Sequence, residues 1–236
     1  MKSDKGISVG KKISKILKKI RQEKPLIHNI TNMVAMNDTA NIILAIGALP
    51  IMAHAQEEVG EMVKAAGATN LRTESALSLQ EKVKINIVRG NFAEISILAG
   101  FKGNIKGVES VGSEKNSVEI AYSLARKYNQ VAIITGKKDI VTDGKRVVEI
   151  DNGSPMLRTI TATGCMATSL IASFAAVCDD YVLASTGALV CFGLAGERAT
   201  LKAKGPGTFK ANLFDEIYNL DKEIICRGLR VNIYEL

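Results

Sequence analysis

An α/β fold, with a mostly parallel central sheet and helices on both faces, is predicted by three observations. Short β-branched runs such as Ile85-Asn86-Ile87-Val88 and Val131-Ala132-Ile133-Ile134 have the character of buried parallel strands. Helical segments alternate with them, as a crossover architecture requires. At 236 residues and 47% hydrophobic content, the chain is long enough to bury one large core.

The N-terminal residues 1–24 carry nine basic side chains against Asp4 and Glu23, which accounts for the whole formal charge of +7 and leaves the body neutral. Ile13, Ile16, Leu17 and Ile20 recur at helical spacing within this arm, so a lysine-coated helix docked by one apolar stripe is expected. The domain boundaries expected are an arm over 1–24 and a single domain over 25–236. Loss of the arm is expected to leave ligand binding intact. Arginine and aromatic side chains are scarce in it, which argues against nucleic-acid and membrane partners.

From Pro25 the elements follow in order. Pro25 to His28 reads as a short strand, and a turn follows over Asn29 to Asn32. A helix is expected from a cap at Asn37 or Asp38 through Ala45, ended by Gly47. Leu49 to Met52 reads as a strand, and Glu57 to Lys64 and Glu74 to Lys82 as helices. Ile85 to Val88 is the next strand, Ser117 to Tyr128 the crossover helix, and Val131 to Thr135 its parallel partner. Ile140 to Thr142 and Arg146 to Ile150 form a hairpin turned at Asp143-Gly144. Two uncharged runs, Thr159 to Cys178 and Tyr181 to Gly196, are too rich in Thr, Ser and Gly for membrane spans and read as buried helices. Cys165, Cys178, Cys191 and Cys226 show no paired spacing, which speaks against disulfide and zinc frameworks and fits a reducing cytoplasm.

Candidate chemistry gathers at helix starts and strand ends. Thr163-Gly164-Cys165-Met166 opens an apolar helix, and a helix N-terminus beside glycine admits an anion close to unpaired amides. Arg89, Asn91 and Glu94 follow one strand, Thr135 and Gly136 another, and Met52 and His54 a third. Taken one by one, each has a plain reading as an ion pair, a helix cap, core or a loop group. Together they describe a site for an anionic ligand at the carboxyl edge of the sheet.

These motifs, in order, resemble those of the hydroxyethylthiazole kinases, members of the ribokinase-like group. The strings are His28-Asn29-Ile30-Thr31-Asn32, Gly47-Ala48-Leu49-Pro50-Ile51-Met52-Ala53, Arg89-Gly90-Asn91-Phe92-Ala93-Glu94, Thr163-Gly164-Cys165 and Gly205-Pro206-Gly207-Thr208-Phe209. The resemblance implies an enzyme that phosphorylates the alcohol of 4-methyl-5-(2-hydroxyethyl)thiazole in thiamine biosynthesis or salvage, using ATP and Mg2+. It implies Met52 and Gly164 at the thiazole, Arg89 and Thr135 at ATP, and Glu94 ordering the metal and its waters. Cys165 takes the place of a catalytic aspartate base, where a thiol serves only if the helix N-terminus lowers its pKa or if a loose transition state needs little help from a base. A cytoplasmic homotrimer with the thiazole pocket between subunits is also implied.

One departure stands out. Between Lys64 and Gly67 the family's pattern carries on the order of 40 more residues, a strand-helix-strand unit containing a metal-proximal aspartate turn. An alternative reading is therefore a degenerate, catalytically impaired thiazole-binding relative. Ala162 also stands where the family favours glycine.

Overall fold

The computed structural model describes residues 4–52, 80–101 and 114–236. Of the helices read from the sequence, Glu57 to Lys64 and residues 74–79 of Glu74 to Lys82 lie outside the described residues, as do His54 and the Lys64–Gly67 junction, while residues 80–82 are helical as expected. The chain divides into two compact units, one of residues 1–66 and 152–231, the other of residues 67–151 and 232–236.

In the first unit, α1 (Asp4–Glu23) leads into β1 (Leu26–His28), α2 (Met33–Ile46) and β2 (Leu49–Ile51). β1 and β2 pair in parallel, Leu26 opposite Leu49 and His28 opposite Ile51. The stripe expected on α1 is built into the core: Ile13 and Ile20 are fully buried, and Ile16 and Leu17 nearly so, while Lys11, Lys12, Lys15 and Lys18 stay exposed. Arg21 turns inward and donates to the carbonyls of Ile217, Tyr218 and Leu220, satisfying acceptors that a helix end leaves open. The helix is therefore part of the unit's core and not a detachable arm.

α2 starts earlier than its sequence suggests. Asn32 caps it, its side chain accepting from the Ala35 amide at 3.0 Å. Asn37 and Asp38, the two caps expected, both lie inside the helix, Asn37 exposed and Asp38 buried and paired with Lys210 at 2.7 Å. Either asparagine satisfies the local rule, and the distant lysine decides what Asp38 does. Gly47 ends the helix as expected, at φ 104°, and a Cβ there would stand 2.7 Å from Arg21 Cγ.

The other described elements of this unit are helical. A 3-10 turn (Pro155–Thr159) precedes α5 (Thr163–Ala175), α6 (Tyr181–Lys202), α7 (Pro206–Tyr218) and α8 (Lys222–Gly228). α6 is long and apolar enough to cross a membrane, yet 83% of its most apolar window is buried inside the protein, in keeping with a core helix. Gly193 lets it approach closely, since a Cβ there would meet the Asn152 backbone at 2.7 Å. Glu216 of α7 is buried and held by Lys202 at 2.6 Å and by Arg198, so its charge is compensated.

Among the described residues, the second unit is built on a five-stranded sheet ordered β3-β4-β5-β6-β7, made of Ile87–Asn91, Val131–Thr135, Asp139–Thr142, Arg146–Ile150 and Val231–Glu235. β3 and β4 are parallel, while β4, β5 and β6 run antiparallel. The hairpin turns where the sequence places it. Asp143 Oδ1 accepts from the amides of Lys145 and Arg146, and Gly144 sits at φ 78° with Arg126 too close to allow a side chain. Helices α3 (Phe92–Leu98) and α4 (Glu114–Tyr128) cover one face. There Ile95, Leu98, Ile120 and Leu124 interdigitate with Val88, Ala132, Ile134 and Val147.

β3 is shifted two to three residues toward the C-terminus relative to the run read from the sequence, so that Arg89 lies within the strand and Asn91 ends it. The ladder with β4, Ile87 opposite Val131 through Asn91 opposite Thr135, imposes that register over local β-branching.

Candidate active site

The residues singled out in the sequence fall into a group on each unit. On the second unit, the parallel pair β3 and β4 ends with Asn91 directly beside Thr135. Arg89, half-buried, donates from Nη2 to Thr135 Oγ1 at 2.5 Å. A guanidinium and a hydroxyl are thus joined at the carboxyl edge of two parallel strands, where open α/β sheets present ligands.

Asn91 and Glu94 form a reciprocal cap on α3. Asn91 Oδ1 accepts from the Glu94 amide at 2.9 Å, and Glu94 Oε2 accepts from the Asn91 amide at 2.7 Å. Glu94 is exposed beyond that contact. Among the described residues no cluster of three or more His, Cys, Asp or Glu side chains is placed to hold a metal. A single carboxylate nevertheless fits Mg2+, which is commonly held by one or two carboxylates together with substrate phosphates and water.

Asp139, at the start of β5, is a residue that sequence reasoning missed. Its Oδ1 accepts from the Gly136 amide at 2.9 Å. Burial pushes its carboxyl up to about 6, against the opposing pull of the Gly136 amide and the Arg89 guanidinium. The available signal was an acidic side chain four residues after Thr135, in a turn rich in lysine.

On the first unit, Met52 follows β2 directly and is half-buried. Gly164 and Cys165 occupy the first turn of α5, as the sequence indicates, and both are half-buried. No side chain caps this helix. From β1, Asn29 reaches the same helix, its Oδ1 accepting from Ser169 Oγ at 2.8 Å. The Gly205-Pro206-Gly207-Thr208 string starts α7, with Thr208 Oγ1 accepting from the Lys204 and Gly205 amides. Gly205 and Pro206 line a cleft of 390 Å³ with Met156, Thr159, Thr200, Ala203 and Lys204.

Ala162, immediately before α5, adopts φ 65°, a left-handed conformation that costs a residue with a side chain about 1 kcal/mol. Ala162→Gly is therefore expected to stabilise the protein by about 1 kcal/mol, read as a raised melting temperature. An unchanged or lowered melting temperature would show that the strain is absent.

The hydroxyethylthiazole kinase family model matches residues 17–68 and 64–223. The chain belongs to the hydroxyethylthiazole kinase family. A hydroxyethylthiazole kinase of Thermoanaerobacter sp. (strain X514) is 48% identical over 92% of this chain and 98% of its own. The solved structure of a hydroxyethylthiazole kinase protein from Pyrococcus horikoshii OT3 superposes at TM-score 0.80, with 34% identity, over 95% of this chain and 100% of that one. Pyridoxal kinase from Staphylococcus aureus, 14% identical, shares the fold at TM-score 0.58 over 89% of this chain and 98% of its own. The fold is thus ribokinase-like and the enzyme class is kinase.

Two features of these matches bear on the short Lys64–Gly67 segment. The two stretches matched by the family model meet at 64–68, and the alignment to the Thermoanaerobacter enzyme runs over 259 positions, more than the 236 of this chain. This member of the hydroxyethylthiazole kinase family therefore lacks chain that its relative carries. The family model matches on both sides of the junction and the relative is 48% identical over 92% of this chain, which favours the kinase reading over the degenerate one.

Proposed function

We propose that this chain transfers the γ-phosphoryl group of ATP to the hydroxyl of 4-methyl-5-(2-hydroxyethyl)thiazole, in thiamine biosynthesis or salvage. Family membership supports the reaction. The observation that carries the site is the Arg89–Thr135 hydrogen bond at the ends of two parallel strands. The Arg89 fork suits phosphate oxygens, and Thr135 both orients the fork and offers a hydroxyl to the nucleotide. Glu94 would hold Mg2+ or its waters, which when bound neutralises charge on the phosphates.

Met52 and Gly164 are assigned to the thiazole, and Cys165 to the neighbourhood of its alcohol. The alcohol oxygen attacks the γ-phosphorus as the bond to the ADP oxygen breaks, and the hydroxyl proton passes to Cys165 in its thiolate form, which becomes the thiol. With a loose transition state, positioning contributes more than that proton transfer. Cys165→Ala is accordingly expected to retain measurable turnover, and Cys165→Asp to equal or exceed the parent. A dead Ala variant with intact thiazole binding would instead make the thiol an obligatory base.

The quaternary proposal is a cytoplasmic homotrimer whose thiazole pocket lies between subunits, a reading supported by the family resemblance. Light scattering checks it: a monomer that binds thiazole contradicts it. The reaction is tested by incubating the purified 236-residue chain with ATP, Mg2+ and the thiazole alcohol and measuring the phosphate ester. Failure to form the ester overturns the proposed function.

A further inference from the structure

We propose that Asp139 is a positioning residue for the nucleotide, fixing both the turn after β4 and the direction of the Arg89 guanidinium that meets the ATP phosphates. The inference rests on the kinase reading above.

Asp139 is tied to this edge of the sheet by two interactions of different kinds. Its Oδ1 closes the loop from Gly136 to Asp139 through the 2.9 Å bond from the Gly136 amide. Gly136 follows Thr135 directly, so the same bond restrains the residue whose hydroxyl accepts from Arg89 at 2.5 Å. The Arg89 charge also pulls the Asp139 carboxyl downward, more weakly than the Gly136 amide does. Arg89 thus has a neutral acceptor in Thr135 at the end of β4 and is within electrostatic range of Asp139 at the start of β5. Two other nearby acids are engaged elsewhere, because Lys138 pairs with Glu149 at 3.4 Å and with Asp151 at 3.9 Å.

A turn by itself does not need this carboxylate. Asparagine would accept the Gly136 amide equally well without the cost of burying a charge. Burial pushes the Asp139 carboxyl up to about 6, so its ionised form is held at a cost that the Gly136 amide and Arg89 only partly offset. A charge kept at that cost beside an arginine is explained by orientation of the arginine. Half-buried guanidinium groups are flexible on their stems, and a fixed counter-charge cuts the entropy lost when phosphate arrives.

The test separates charge from turn. Asp139→Asn keeps an acceptor for Gly136 and loses the charge, while Asp139→Ala loses both. Binding of a non-hydrolysable ATP analogue with Mg2+ is measured by calorimetry, alongside the KM for ATP, the KM for the thiazole alcohol and the melting temperature. Nucleotide binding is expected to weaken about fivefold in the Asn variant and about tenfold or more in the Ala variant. The thiazole KM is expected to stay at its parental value, and the Asn variant to melt with the parent. Parental nucleotide affinity in both variants overturns the proposal, as does an equal loss toward ATP and thiazole, which would mark a merely structural residue. A parent that binds the nucleotide analogue but forms no thiazole phosphate overturns the substrate reading alone, since the calorimetric comparison still decides the role of Asp139. A parent that does not bind the analogue overturns both.

Discussion

Removal of residues 1–20 is expected to leave no soluble, folded protein. The deleted segment holds Ile13, Ile16, Leu17 and Ile20, each buried to 93% or more. Truncating one such side chain costs about 2–5 kcal/mol, whereas a whole domain is stable by about 5–15 kcal/mol. Losing all four exceeds what the first unit can spare. The packing of Gly10 against Cys226 and Leu229, where even a Cβ would come within 3.2 Å of their atoms, is lost as well. Soluble yield and thermal melting of the truncated chain check this. A contrasting variant, Lys11→Glu with Lys12→Glu and Lys15→Glu, changes only exposed positions and is expected to fold, with a shift within about 1 kcal/mol. A truncated chain that melts like the parent would show that α1 is dispensable.

Arg89→Ala is expected to raise the KM for ATP about a hundredfold, corresponding to about 2.7 kcal/mol, with a smaller effect on the KM for thiazole. Arg89→Lys restores the charge but not the planar fork, so it should recover only part of the loss. Glu94→Ala is expected to act on a different quantity, lowering turnover and raising the Mg2+ requirement. Because Glu94 also caps α3, that variant should lose about 1 kcal/mol of stability, which Glu94→Gln retains through the same backbone contact. Steady-state kinetics over ATP and Mg2+ concentration, with melting curves, separate the two roles. If Arg89→Ala leaves the KM for ATP at its parental value, the phosphate assignment is wrong.

Much of the fold was legible locally. The apolar stripe of α1, the Gly47 stop, the β4 run and the Asp143-Gly144 hairpin turn follow from side-chain period and turn chemistry, which depend on neighbours a few residues away. The Gly164-Cys165 helix start was legible for the same reason. The order of motifs that marks the hydroxyethylthiazole kinase family is also a property of the string alone.

What sequence periodicity misjudged depended on distant partners. Asn32 and Asp38 are equally good caps by residue type, and Lys210, far along the chain, draws Asp38 into an ion pair and leaves the cap to Asn32. β3 begins at Ile87 because its register is set by β4, which places Asn91 beside Thr135 and brings Arg89 onto its hydroxyl. The role of Asp139 was hidden for the same reason: an aspartate in a lysine-rich turn is a weak local signal, and it gains weight only when folding brings the Arg89 charge within electrostatic range. The amino-acid sequence by itself determined where α1, α4, β4 and the β5–β6 hairpin form and which family's motifs the chain carries. Tertiary structure alone decided strand register and the partners of each charge, because those energies belong to pairs of residues that the chain keeps far apart until it folds.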